Sequence, residues 1–169
     1  MGKFLAMILA LAGAFAGSQA PGFTLQYMQN LNGRVSELKP MVARFDADVA
    51  KYGYTRQNAL NECEVATGLL DALCASYGDA ISRYEILSAH LQELQQASDL
   101  MRPVLIAKSY QKDIAVSVME EFKPAIPASM DGGIYAVGGF VGLWTAGSLL
   151  FGLLGAPFRR RREPEGRWA

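Results

Sequence analysis

A run of twenty-six residues without a charge, Gly133 to Phe158, constrains this chain more than any other feature. A helix rises 1.5 Å per residue, so about 20 apolar residues cross a hydrocarbon core of roughly 30 Å. Residues 133–158 are therefore expected to form a transmembrane helix. A second apolar stretch, Phe4 to Gly17, follows Lys3 and also carries no charge. Counted through Ala20 it reaches about 25 Å, the lower limit for a spanning helix. Its positive start and its Ser18-Gln19-Ala20 end also read as a secretory signal with a small-residue cleavage site. Pro21 stands against cleavage, because the scissile bond would be a proline imide in a locked backbone. Residues 1–20 are expected to stay as an amino-terminal anchor, with a cleaved signal-like segment as the alternative.

The charges divide along the same lines. The 169 residues hold sixteen Lys plus Arg and sixteen Asp plus Glu, a net charge of zero. Residues 21–132 contain ten basic and fourteen acidic residues, and the remainder six basic and two acidic, so a net of −4 faces a net of +4. Arg159, Arg160, Arg161 and Arg162 stand directly behind the second apolar run. By the positive-inside rule this tail, residues 159–169, and the Lys3 end stay cytoplasmic. Residues 21–132 are then extracytoplasmic, which in a bacterium is the periplasm. The same arginines would attract anionic lipid head groups. A nucleic-acid partner does not fit the acidic middle zone or its compartment.

The middle zone carries helical patterns. Leu31, Val35, Leu38, Val42, Phe45, Val49 and Tyr52 alternate spacings of four and three, a heptad seam. It serves either a second chain, as in a coiled coil, or the other helices of its own domain. Pro40 lies off the seam, where it would kink the helix or open a new one. Gly53 ends this helix, and Thr55 caps a short one from Arg56. Thr67-Gly68 reads as a break before a long helix from Leu69 to Ser98, with Leu70, Leu73, Tyr77, Ile81, Tyr84, Leu87, Leu91 and Leu94 on one face. Pro103 restarts the chain, Asp113 is placed to cap a last short helix through Phe122, and Lys123-Pro124-Ala125-Ile126-Pro127 reads as extended. No period-two pattern is long enough for a strand. The fold class expected is all-α, a helical hairpin between two membrane helices.

The run Gly17-Ser18-Gln19-Ala20-Pro21-Gly22-Phe23, followed by Gln26-Tyr27, resembles the opening of a family of short bacterial inner-membrane proteins of unknown function. Phe45-Asp46-Ala47-Asp48, Arg83-Tyr84-Glu85, Phe122-Lys123-Pro124-Ala125-Ile126-Pro127 and Gly139-Phe140 are similar too. The resemblance implies two membrane spans around a helical periplasmic region and carries over no functional residue.

Side chains suited to chemistry are scarce. His90 is the one histidine, and Glu93 lies one helical turn from it. Two ligands do not make a metal site, and Cys63 and Cys74 add too few for a Cys/His zinc site. Tyr77, Tyr84 and Tyr110 with Arg83 suggest a stacking surface, although tyrosines at helical spacing more often edge a core. No GxSxG, P-loop or HExxH motif occurs. The second apolar run holds no ionisable residue, which disfavours a proton relay or ion pathway. Neither an enzyme nor a bound cofactor is expected.

Packing motifs are more plentiful. Gly138, Gly142 and Ala146 form one small-residue row in the second run, and Ser148, Gly152 and Ala156 another; Gly13 and Gly17 repeat the pattern in the first. Such rows let helix backbones approach closely in lipid. They are expected to join the two spans, or to join copies of the chain. Cys63 and Cys74 form a disulfide only if the chain turns back between them, because on one straight helix they lie about 16 Å apart, against a limit of about 7 Å between α-carbons. The function these features suggest is a structural or interaction protein that holds its own copies or another membrane complex near the bilayer. The alternative is a module that binds a lipid or quinone-like molecule through Phe23, Tyr27, Tyr110 and Phe122 near the membrane interfaces.

Overall fold

A computed structural model describes residues 2–63, 65–124 and 129–159, with side chains described up to residue 153. These residues form seven α-helices: α1 (Gly2–Ser18), α2 (Ala20–Lys51), α3 (Arg56–Cys63), α4 (Leu69–Gln96), α5 (Arg102–Ser109), α6 (Lys112–Glu121) and α7 (Met130–Arg159). Among the described residues there is no strand. The fold is all-helical, and two helices, one at the amino terminus and α7, are long and apolar enough to cross a membrane. The chain divides into two compact units, residues 1–23 with 123–169, and residues 24–122.

In the first unit α1 packs antiparallel on α7. Gly2 lies against Phe151, Gly147 against Ala6 and Leu9, Gly13 against Gly139, and Gly17 against Tyr135. Ala6, Ala10 and Gly13 are buried, and with the half-buried Gly17 they repeat at spacings of four, three and four. This row lets α1 approach α7 at backbone distance over most of its length. Pro21 falls in the first turn of α2, where its missing N–H costs nothing because first-turn donors have no intrahelical partner.

In the second unit the heptad stripe of α2 turns inward at Leu31 and Val42, both buried. Helix α2 is continuous through Pro40, which lies on its exposed side and neither ends nor restarts it. The helix stops where Gly53 adopts a φ of +79°, a left-handed value that costs glycine no Cβ clash. Thr55 accepts a hydrogen bond at Oγ1 from the Asn58 N–H (3.2 Å) and caps α3. Gly68, with φ +67°, makes the reversal into α4. The C-terminal half of the α4 stripe is covered: Ile81, Leu87, Leu91 and Leu94 are buried with Ile106 of α5 and with Ile114 and Val118 of α6. Arg102 closes the α4–α5 turn by donating from Nε to the Leu94 carbonyl (2.9 Å) and by pairing with Asp99.

Asp113 does not cap α6. That helix begins at Lys112, and Asp113 lies in its first turn, where a carboxylate meets the positive end of the helix dipole. The stretch Ala125-Ile126-Pro127 lies outside the described residues.

Candidate functional site

Three features of the molecule bear on function: the α1–α7 seam, a polar brace inside the helical unit, and the end of that unit where α2, α3 and α4 meet.

The seam uses only part of the small-residue pattern. A Cβ at Gly13 or Gly139 would collide with the other's carbonyl oxygen, and one at Gly17 with the Tyr135 carbonyl. Gly138, Gly142 and Gly152, in contrast, face open space, and Ala146 and Ser148 are exposed. The expectation that these five residues join the two spans is therefore corrected, since the α7 contact row is Tyr135, Gly139, Leu143, Gly147 and Phe151. The reason is rotational. At roughly 100° per residue, Gly138 stands about 100° and Gly142 about 60° round the helix from Gly139, both on the side away from Leu143 and Gly147. The side chains of Ala156 and Arg159 lie outside the described residues, as do Arg160, Arg161 and Arg162 entirely.

The polar brace ties four helices. Tyr27 of α2 is fully buried, and its hydroxyl accepts a hydrogen bond from the Gln111 N–H (2.8 Å) at the start of α6. The same hydroxyl lies 3.2 Å from His90 Nε2 of α4, and the two rings meet edge to face. His90 Nδ1 stands 3.6 Å from a Glu93 carboxylate oxygen. Burial pushes the Tyr27 hydroxyl above its ordinary pKa, against the Gln111 hydrogen bond that favours the ionised form, so it remains a neutral phenol. His90 itself is buried. No local signal marks the pair, because its partners stand 63 residues apart.

Two charge clusters continue the brace. Arg56 of α3 donates from Nε and Nη2 to the two carboxylate oxygens of Asp46 on α2, and from Nη1 to Glu85 of α4 at 2.9 Å. Hydrogen bonds from Arg56 hold the Asp46 carboxyl below its ordinary value. Asp113 of α6 pairs with Arg83 of α4 and lies 3.6 Å from Arg34 of α2. Burial raises the Asp113 pKa, but the two arginines outweigh it and the net shift is downward. The stretches Phe45-Asp46-Ala47-Asp48 and Arg83-Tyr84-Glu85 thus supply three charges of this network.

At the third feature the disulfide Cys63–Cys74 joins the end of α3 to α4, with α-carbons 5.6 Å apart. The reversal through Gly68 brings them together. Beside it lies a groove of ≈ 350 Å³ lined by Phe45, Val49, Tyr52, Tyr54, Leu70 and the two cysteines, with Ala59 and Glu62 at its edge. The stacking set does not assemble here. Tyr77 packs on Phe45 with ring centroids 5.3 Å apart, while Tyr110 borders a separate shallow depression with Val116 and Met119. Tyr27, one of the four aromatics expected at a membrane interface, is in the core instead. Among the described residues no cluster of three or more His, Cys, Asp or Glu side chains is placed to hold a metal ion.

An all-helical chain with two membrane-length helices and a separate helical unit defines a class rather than an activity. The chain belongs to the family DUF2937, proteins of unknown function, whose model matches residues 1–160. No curated protein matches the chain, and no solved structure does.

Proposed function

We propose that this protein is a non-catalytic membrane-anchored scaffold whose helical unit presents an interaction surface to a protein partner. One observation carries the reading. Polar side chains of the helical unit pair helix to helix, whereas large apolar side chains at the α2–α4 end, including Tyr52, Leu69, Leu70 and Leu73, stand exposed. Contiguous exposed apolar surface on a soluble unit marks an interaction site. The anchor is the α1–α7 pair in a bacterial inner membrane, with both termini cytoplasmic and residues 21–132 periplasmic. The basis for this orientation is Lys3 at one end and Arg159 to Arg162 at the other.

Gentle detergent extraction, chemical cross-linking and mass determination test the scaffold. The expected result is a complex heavier than 18.3 kDa, made of copies of the chain or of the chain with another protein. A strictly monomeric chain with no co-purifying protein overturns the reading. A stoichiometric lipid on such a monomer would favour a lipid-binding module in its place. A reporter that works only in the periplasm should be active when fused after Ser98 and inactive when fused after Ala169. The reverse pattern overturns the orientation.

A further inference from the structure

The stripe on α4 changes character along its length. Leu94 is 0% exposed, whereas Leu70 and Leu73, the first two residues at the other end of the same stripe, are 60% and 49% exposed. The α2 seam behaves alike, from buried Leu31 and Val42 to Tyr52, which is 81% exposed. Two grooves show that these uncovered ends form one surface. The ≈ 350 Å³ groove and a neighbouring one of ≈ 280 Å³ share Phe45, Val49 and Tyr52; the first extends to Leu70, the second to Tyr77.

We propose that this surface is the contact through which two copies of the chain pair, the occupant of each groove being the protruding Tyr52 end of the other copy. The proposal rests on the scaffold reading and names its partner.

Area supports it. Tyr52, Tyr54, Leu70, Leu73 and Tyr77 together leave roughly 600 Å² of surface exposed, hydroxyl and backbone atoms included, on the scale of the largest patches on an ordinary monomer. Two copies covering it bury roughly 1,200 Å², where specific stable interfaces begin. Shape supports it as well. A heptad stripe is covered best by another stripe with the same spacing, since each side chain enters a hole between four of the partner's. A second copy supplies that spacing. The contact is isologous, so the patch must hold both a cavity and a projection, and the groove and Tyr52 are these. Charge is compatible at the margin: Asp48 and Lys51, opposite in sign, pair there 2.7 Å apart, and Glu62, which also lines the larger groove, is exposed and can keep its carboxylate in water at the rim.

The test uses the full chain in its native membrane, with the photoreactive residue benzoylphenylalanine in place of Tyr52, and reduced gels after irradiation. The proposal expects an adduct of twice the chain mass. It expects the double variant Leu70→Gln, Leu73→Gln to lower the adduct at least tenfold. Both leucines are exposed, so the helical circular-dichroism signal and thermal midpoint of that variant should match the parent. An adduct to a different protein, an adduct to lipid, or a dimer adduct unchanged by the double variant overturns the proposal. Of these, the different protein leaves the scaffold reading standing, as does a homodimer that persists in the double variant. No adduct at Tyr52 together with a monomer in mild detergent overturns both.

Discussion

Gly138 and Gly139 are neighbours in one helix, yet only Gly139 is in the seam. Replacing each by alanine makes the same chemical change and the same gain in helix propensity, up to about 1 kcal/mol. At Gly138 the new methyl meets open space, so that gain remains and the variant is neutral or more stable. At Gly139 the methyl collides with the Gly13 carbonyl oxygen, a backbone atom that moves only if α1 withdraws from α7. Overpacking a close contact costs about 1–3 kcal/mol, and the propensity gains cancel between the variants, so they should differ by that amount. For a chain of this size the difference is about 2–12 °C in thermal midpoint. The assay is thermal unfolding of both variants in one mild detergent, followed by tryptophan emission. Equal midpoints, or Gly138→Ala as the less stable variant, would refute the seam described here and restore the Gly138–Gly142 row as the intramolecular contact.

Tyr27→Phe leaves the Gln111 N–H without its acceptor and removes the contact to His90, and should cost about 1–3 kcal/mol; denaturant unfolding of the full chain in detergent measures it. Arg56→Gln should cost about 1 kcal/mol at pH 7, the modest figure reflecting partners that are partly exposed to solvent. Asp46 is held low in the folded chain, so its contribution is complete above its unfolded value of about 4 and is lost as pH falls through the lower folded value. The variant should therefore show a flatter stability profile than the parent below about pH 4, checked by thermal midpoints across an acid series. Cys63 and Cys74 should resist alkylation until reduced, and Cys74→Ser should lose about 2.8 kcal/mol for opening a loop of this length; non-reducing mass analysis and unfolding of the variant check the two statements.

Sequence alone determined the parts of this protein that depend on local composition. The uncharged run from Gly133, the heptad stripe from Leu31, the stops at Gly53 and Gly68 and the restart at Pro103 each act within a few residues, and each element appears where its pattern lies. The all-helical class follows from them. Family membership was legible in short stretches, because such likeness needs no geometry.

Tertiary structure decided which of several equivalent patterns is used. Glycines lie on more than one side of α7, and the sequence ranks none of them; the rotation of α7 against α1 selects Gly139 and Gly147 and leaves Gly138 and Gly142 facing outward. Asp113 had the residue type and place of a cap, but two arginines on other helices lie beside it and its carboxylate pairs with them. Tyr27 and His90 are joined across 63 residues, and only the packing of α2 on α4 makes the phenol part of the core rather than of a membrane interface. The stripe on α4 is evenly apolar in sequence, and its covering is uneven: α5 and α6 supply buried side chains only alongside its C-terminal half. Periodicity states that a helix has an apolar face, but whether anything covers that face depends on where the fold places the other helices.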